Sequence, residues 1–328
     1  MGFLVGLLLP VFAAAQVEPI APPTSVLQPT APSQPLQPQV GDLLGGLVFD
    51  AASDWVENDF VRSRLVFSQM GLDVSGTMSH HLGWQVMLKK DGWKTYWRSP
   101  GDAGKPPVFD WAGSTNLAEA TAYFPLPERF EIFGIQTFGY EGGVIIPVRM
   151  AAQVPGLPVG IKMYADFMAC KDICIPFTAN YSLDIPVADG VPRDSVYELD
   201  IARQLQRVPS PDGPGAEGPW LRDMSLLGTP GEERLSMTIE GSELLSGARV
   251  IIEADPAYRI GAPQRALLGD GHMLRIIFPV TERKSNDAAQ GHQGFAGQEI
   301  RLTVADGWGR AWEHEMSIPR SNIDMKQD

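Results

Sequence analysis

The sequence predicts a mostly β protein, and three observations carry that class. The 328 residues include 34 Gly and 28 Pro, which interrupt helices and populate turns. Short apolar runs alternate with polar residues at period two in both halves of the chain, and one stretch alone follows the helical period. Hydrophobic residues at 44% and charged residues at 20% give a globular composition, and the length suits about two domains of ordinary size.

Residues 1–15 read as a signal peptide: a short apolar run, too short to span a bilayer comfortably, ends in the small residues Ala13-Ala14-Ala15, although no Lys or Arg precedes it. Residues 16–45 are Pro-rich, almost without charge and without apolar period, which predicts a disordered tether. The first folded unit is expected over 46–190. Within it Leu82, Trp84, Val86 and Leu88 alternate with polar or small residues, Asp91-Gly92 is a turn dipeptide, and Trp93-Lys94-Thr95-Tyr96-Trp97 is expected to return as the second strand of a hairpin. Arg98 to Pro107 holds too many breakers for regular structure. Val144–Val148, Val159–Ala165 and Tyr181–Val187 supply three more strands.

Residues 191–219 predict a helix and a Pro/Gly linker. The helix, from Arg193 to Arg207, sets Val196, Leu199, Ile201, Leu205 and Val208 on one side and is expected to bridge the domains. A second, smaller β-sandwich-like domain is expected over 220–320 from the alternating sets Leu235/Met237/Ile239, Val250/Ile252, Leu274/Ile276/Phe278/Val280, Ile300/Leu302/Val304 and Trp312/His314/Met316/Ile318. Thr281 to Gln298 reads as a long mobile loop, and 321–328 as a tail. No later stretch approaches a membrane span, so signal removal leaves an exported chain in a space where disulfides form. A net charge of -13 argues against nucleic acid or an anionic membrane as partner.

Only two cysteines occur, Cys170 and Cys174, separated by Lys171-Asp172-Ile173. Such a pair is a cross-link or a redox centre. As a cross-link it is weak, because closing a loop of about five residues stabilises by roughly 2 kcal/mol. As a redox pair it has the advantage that its ends stay close when reduced. Lys171 would favour the reactive thiolate and Asp172 would oppose it. The same thiols could instead hold Cu(I), with Met168 or Met163 as a soft neighbour. Zinc is disfavoured, since four ligands are wanted and no His lies in the stretch. His80-His81 reads as a surface pair, and Asp102, Asp110 and Glu131 as turn or cap residues rather than acid/base groups. A third reading is a binding module in which the cysteines only stabilise. Neither a phosphate loop nor a Ser/His/Asp arrangement is apparent, and no cofactor is expected.

Several motifs in order and spacing carry a resemblance over about residues 48–188: Gly92-Trp-Lys-Thr-Tyr-Trp-Arg98, Pro100-Gly101-Asp102, Pro106-Pro107, Phe109-Asp-Trp111, Pro125-x-Pro127-x-Arg129-Phe130, Gly139-Tyr140-Glu141-Gly142 and Cys170-Lys-Asp-Ile-Cys-Ile-Pro176. Together they resemble the N-terminal periplasmic domain of the thiol:disulfide interchange protein DsbD, more closely the branch called suppressor of copper sensitivity protein B. Beyond residue 220 the likeness to the extended N-terminal part of that branch is loose. The resemblance implies an immunoglobulin-like β-sandwich acting as a thiol:disulfide oxidoreductase through Cys170 and Cys174, with Cys174 the partner-facing sulfur. It also implies a cap with Phe133 as the lid and Tyr96 and Trp97 packing beside the pair. Implied partners are periplasmic thiol/disulfide proteins. Family members usually continue into a membrane domain and a thioredoxin-like domain; neither is found in this sequence, so reductant is expected from a separate membrane electron-transfer protein. The C-x3-C spacing departs from the five intervening residues of the better-known branch.

Overall fold

The computed structural model describes residues 52–72, 78–132, 135–186, 196–215, 218–283 and 294–319. The expected signal peptide, tether and tail lie outside the described residues. Nineteen strands and one α-helix occur among those described. In chain order they begin with β1 (Val56–Glu57), β2 (Val61–Leu72), β3 (Met78–Leu88), β4 (Lys94–Gly101), β5 (Val108–Asp110) and β6 (Leu117–Ala122). Next come β7 (Glu128–Ile132), β8 (Ile135–Glu141), β9 (Gly143–Ala152), β10 (Val159–Cys170), β11 (Cys174–Ile185) and the helix α1 (Glu198–Leu205). The chain continues with β12 (Trp220–Leu227), β13 (Glu233–Glu240), β14 (Arg249–Glu253), β15 (Tyr258–Ile260), β16 (Gln264–Leu268), β17 (Met273–Glu282), β18 (Glu299–Ala305) and β19 (Ala311–Ser317).

Two sheets build the first sandwich, an immunoglobulin-like arrangement: β1-β2-β3-β9-β6 faces β11-β10-β4-β8-β7, with β5 also on β10. Alternation puts Leu65, Phe67, Leu82, Trp84, Val86, Ile146 and Val148 of one sheet against Met163, Ala165, Phe167, Phe177 and Tyr181 of the other. Trp84 sits at the centre, 1% exposed, edge-on to Phe109 and Phe167 with ring centroids 5.0 and 4.7 Å away, and its Nε1 donates to the Tyr181 hydroxyl at 3.2 Å. A buried ring of this size contributes most when its N–H is satisfied, as here.

The expected hairpin of β3 and β4 is corrected by this topology. β3 pairs with β2 and β9, whereas β4 pairs with β10 and β8, so the Asp91-Gly92 turn carries the chain across the core between sheets. Gly92 has φ +75°, a conformation suited to a sharp reversal. Strands that bury Trp84 and Trp97 in one core face each other through it rather than lying side by side.

α1 is shorter than the sequence predicts, and its buried face is narrower. Ile201 and Leu205, four residues apart, pack with Ala52, Val66 and Ile145 on the outer face of the first sheet. Val196 and Leu199 are exposed instead. The helix lies on β2, β3 and β9 rather than spanning a gap between lobes. Gly83 makes this docking close: a Cβ there would meet Ile145 Cγ2 at 2.6 Å and Val66 Cγ2 at 2.9 Å. His81, expected at the surface, is fully buried in β3 between two partner strands.

The second lobe stacks β12-β13-β17-β15, with β16 on β17, over β14-β18-β19. Leu235, Met237, Ile239, Leu274, Ile276, Phe278, Leu302, Val304 and Trp312 fill its core. Part of the stretch expected to be a mobile loop is packed: Phe295 is fully buried, its N–H donating to Glu233 Oε2 at 2.8 Å. Residues 284–293 lie outside the described residues.

The lobes meet along β4 and its following loop. Ile251 and Ala305 of the second lobe belong to the core of the first sandwich. Arg98 Nη2 lies 2.6 Å from Glu253 Oε1 and also pairs with Glu313. Burial opposes the Arg98 charge, but the two carboxylates outweigh it and its pKa is raised. Arg98→Ala is expected to cost about 2–4 kcal/mol, because two largely buried carboxylates lose their partner. Urea unfolding followed by circular dichroism would measure it, and a loss below about 0.5 kcal/mol would mark the pairs as surface contacts of no consequence.

Candidate functional site

The site is built on the hairpin of β10 and β11, whose register runs without a break from Val159↔Ile185 to Cys170↔Cys174. The connection is Lys171-Asp172-Ile173, closed by the Lys171 N–H donating to the Ile173 carbonyl at 3.0 Å. Odd-numbered residues of β10 from Val159 to Ala169 enter the core, so Tyr164, Asp166, Met168 and Cys170 fall on the outer face. Cys170 and Cys174 are directly opposed across the hairpin and joined as a disulfide, with Cα atoms 4.1 Å apart.

The two sulfurs have different surroundings. Cys170 is fully buried, whereas Cys174 is exposed on the edge strand β11. The difference comes from β4, which lies on the opposite edge of β10 with Lys94↔Cys170 and Thr95↔Ala169 in register and Thr95 Oγ1 donating to the Met168 carbonyl at 3.0 Å. That register brings Tyr96 over the pair. Tyr96, Cys170 and Met168 form one apolar cluster, and the Tyr96 hydroxyl is 3.5 Å from Cys174 Sγ. Burial raises the Tyr96 pKa, so the phenol keeps its proton through neutral pH and can donate a hydrogen bond to the neighbouring sulfur.

Of the aromatics that the resemblance implies, the structure brings Tyr96 to the cysteines and sends Trp97 elsewhere. Trp97 is one residue further along the strand and so points to the other face, fully buried in the sandwich core with Phe138 at 6.3 Å. Phe133 lies outside the described residues. Met168 shares the outer face with the pair, whereas Met163 is 1% exposed in the core. Lys171 is directed away from the sulfurs: its Nζ donates to the Asp91 carbonyl at 3.2 Å and its chain lies along Gly92. Asp172 and Ile173 are exposed at the tip.

Sequence reasoning missed Gly104, in the loop that joins β4 to β5. A Cβ at Gly104 would stand 2.3–2.6 Å from Cζ, Cε1 and Cε2 of Tyr96, so the backbone itself lies against the phenol end of that ring. Lys105 pairs with Asp166 of β10, and β5 then pairs with β10 from Tyr164 to Asp166, fastening the far end of the loop. The available signal was the density of breakers between Ser99 and Pro107, with Gly104 at φ +99°. Asp110 is a turn residue as expected, accepting from the Ala112 N–H at 2.9 Å. Asp102 instead receives two arginines of the second lobe, Arg259 and Arg283.

A β-sandwich with a cross-strand disulfide at the tip of its hairpin, one sulfur sealed and the other open, defines a class of surface-disulfide sandwich modules. Residues 72–186 match the family described as thiol:disulfide interchange protein DsbD, N-terminal. Among solved structures, the N-terminal periplasmic domain of ScsB from Proteus mirabilis superposes with a TM-score of 0.61 at 21% identity, covering 82% of this chain and 98% of that one. That likeness extends over both lobes and concerns the fold. No curated protein matches the sequence.

Proposed function

We propose that the chain is an exported thiol:disulfide exchange protein of the protein-disulfide reductase type, acting in the periplasm through Cys170 and Cys174. The observation that carries this reading is the unequal exposure of the two sulfurs across one hairpin. A partner thiolate can reach Cys174 Sγ, and attack there breaks the bond to Cys170, which leaves with the electron pair and takes up a proton. The partner's second thiolate then attacks its own sulfur in the mixed disulfide, forming the partner disulfide and releasing Cys174 as thiolate beside the Tyr96 hydroxyl. Two electrons have then entered the module, and the reverse sequence delivers them to an oxidised client. Periplasmic thiol/disulfide proteins fit as clients, and a separate membrane electron-transfer protein as the source of reductant.

The reduction potential of the pair tests the reading, measured by equilibrating the protein in dithiothreitol or glutathione buffers and counting free thiols. A value above about -250 mV is expected; one below about -300 mV belongs to a structural disulfide and would favour a binding module. The placement of Met168 with Cys170 and Tyr96 favours one second reading, capture of Cu(I) by the reduced pair with a thioether neighbour. Competition of the reduced protein against a chromogenic Cu(I) chelator decides it: Met168→Leu should weaken binding if this reading holds.

A further inference from the structure

Charged side chains at the junction of the lobes are answered one by one, with a single exception. Between the β4–β5 loop and the second lobe lies a cleft of about 410 Å³, to which Arg98, Asp102, Arg129 and Arg283 contribute the charged groups. Arg98 is neutralised by Glu253 and Glu313, and Asp102 by Arg283 and Arg259. Arg129, on β7, has no such partner. Its Nη2 donates to the Val250 carbonyl at 3.2 Å and its guanidinium carbon lies 5.4 Å from the centre of the Phe138 ring; both residues also line the cleft. The guanidinium is thereby held at the cleft wall, on an exposed residue.

Its neighbours deepen the imbalance. Arg249 Nη1 donates to the Pro127 carbonyl at 3.0 Å and Arg265 Nη2 to the Ala248 carbonyl at 2.7 Å, so three guanidiniums gather on backbone carbonyls around this junction. A carbonyl engages one of the five N–H donors and supplies no counter-charge. Among the described residues no carboxylate lies within ion-pair distance of Arg129, Arg249 or Arg265. Burial and the charges of Arg265 and Arg249 accordingly hold the Arg129 pKa below its usual value. A clasp between lobes needs no such crowding of like charge, least of all in a chain of net charge -13. An anion from outside would remove the conflict. The cleft's shape describes the rest of that ligand. Phe138, Ile251, Ile252, Ile260 and Phe278 form apolar walls, with Ile251 and Phe278 buried, and the volume falls at the small end of the range for ligand pockets, about 300–1,000 Å³.

We propose that this cleft binds a small organic acid, with its carboxylate on the Arg129 guanidinium and its apolar body against Phe278 and Ile251. A planar carboxylate matches the guanidinium fork, and its single charge matches the one uncompensated guanidinium that lines the cleft. Arg249 and Arg265 add attraction at longer range. Neither cysteine nor Tyr96 lines the cleft, so the site is independent of the exchange reading.

The test is isothermal titration calorimetry of the full chain with 3-phenylpropanoate, compared with 3-phenylpropanamide and acetate. The amide keeps the body without the charge, and acetate the charge without the body; each should bind at least about tenfold more weakly. Arg129→Gln should weaken 3-phenylpropanoate binding about tenfold or more, through loss of a charge-assisted hydrogen bond. Arg265→Gln, at a residue that does not line the cleft, should weaken it less, and that smaller loss should fade with added NaCl because it acts through screened charge. Arg222→Gln, which breaks an ion pair with Glu240 elsewhere on the second lobe, should leave the affinity unchanged. Thermal unfolding of each variant without ligand establishes that it is folded, and the comparison of carboxylate with amide uses the wild type alone. Absence of 3-phenylpropanoate binding at millimolar concentration would overturn the inference. So would equal affinity for the amide or for acetate, or an unchanged affinity in folded Arg129→Gln.

Discussion

Cys170→Ser is expected to accumulate a mixed disulfide through Cys174 when the protein meets an oxidised dithiol partner, whereas Cys174→Ser forms none and exchange falls to background. The expectation follows from burial. Cys174 is open to a protein-sized reagent on an edge strand, and Cys170 is enclosed by Tyr96, Met168 and β4. On the exchange reading Cys170, at the opposing register position, resolves the mixed species; with serine there this exit is lost, and only reversal by the partner's second thiol remains. Both variants should fold, because a cross-link closing so short a loop contributes about 2 kcal/mol. Non-reducing electrophoresis and intact mass would read the adduct. Trapping by Cys174→Ser with none by Cys170→Ser would reverse the assignment.

Gly139→Ala should have the largest effect on stability of any single methyl added near the site. A Cβ there would lie 2.1 Å from the Thr95 carbonyl oxygen and 3.2 Å from Tyr96 Cα. Both contacts are with backbone, which cannot rotate away as a side chain would, so β8 must separate from β4. Overpacking ordinarily costs about 1–3 kcal/mol, and a backbone clash within a central sheet belongs at or above the top of that range. The same displacement would disturb the register that brings Tyr96 over Cys170, so the protein remaining folded should be reduced faster by dithiothreitol. Denaturant melts and thiol kinetics on one sample would check both. A variant within about 0.5 kcal/mol of wild type would show that β8 yields at Gly139 without strain.

The sequence made the strand content legible because period two is a local property: the alternating sets of β10, β13, β17 and β18 bury the residues that their pattern selects. The cysteine stretch was legible for the same reason, as a connection between two such runs. Pairing was not. Asp91-Gly92 announces a reversal, but whether the chain returns beside β3 or across the core depends on β2, β9, β10 and β8 occupying the available edges. Helix period alone could not separate Ile201 and Leu205 from Leu199, since the sheet that selects among them is remote in sequence. Gly104 was invisible because its role is a contact with Tyr96 made across a loop. The burial of Cys170 was hidden likewise, since it depends on a strand some seventy residues earlier.

Three consecutive residues of β4 meet three different parts of the molecule: Tyr96 the disulfide, Trp97 the sandwich core, and Arg98 the carboxylates of the second lobe. Because Ile251 and Ala305 complete that core from the far side, the two lobes are not interchangeable cassettes. An excision at the Pro/Gly-rich segment after Ser210 would look clean in sequence, yet it would bare an apolar face on the half that carries the disulfide and strip Arg98 and Asp102 of their counter-charges. Grafting this chemistry onto another carrier therefore means moving the whole of residues 52–319.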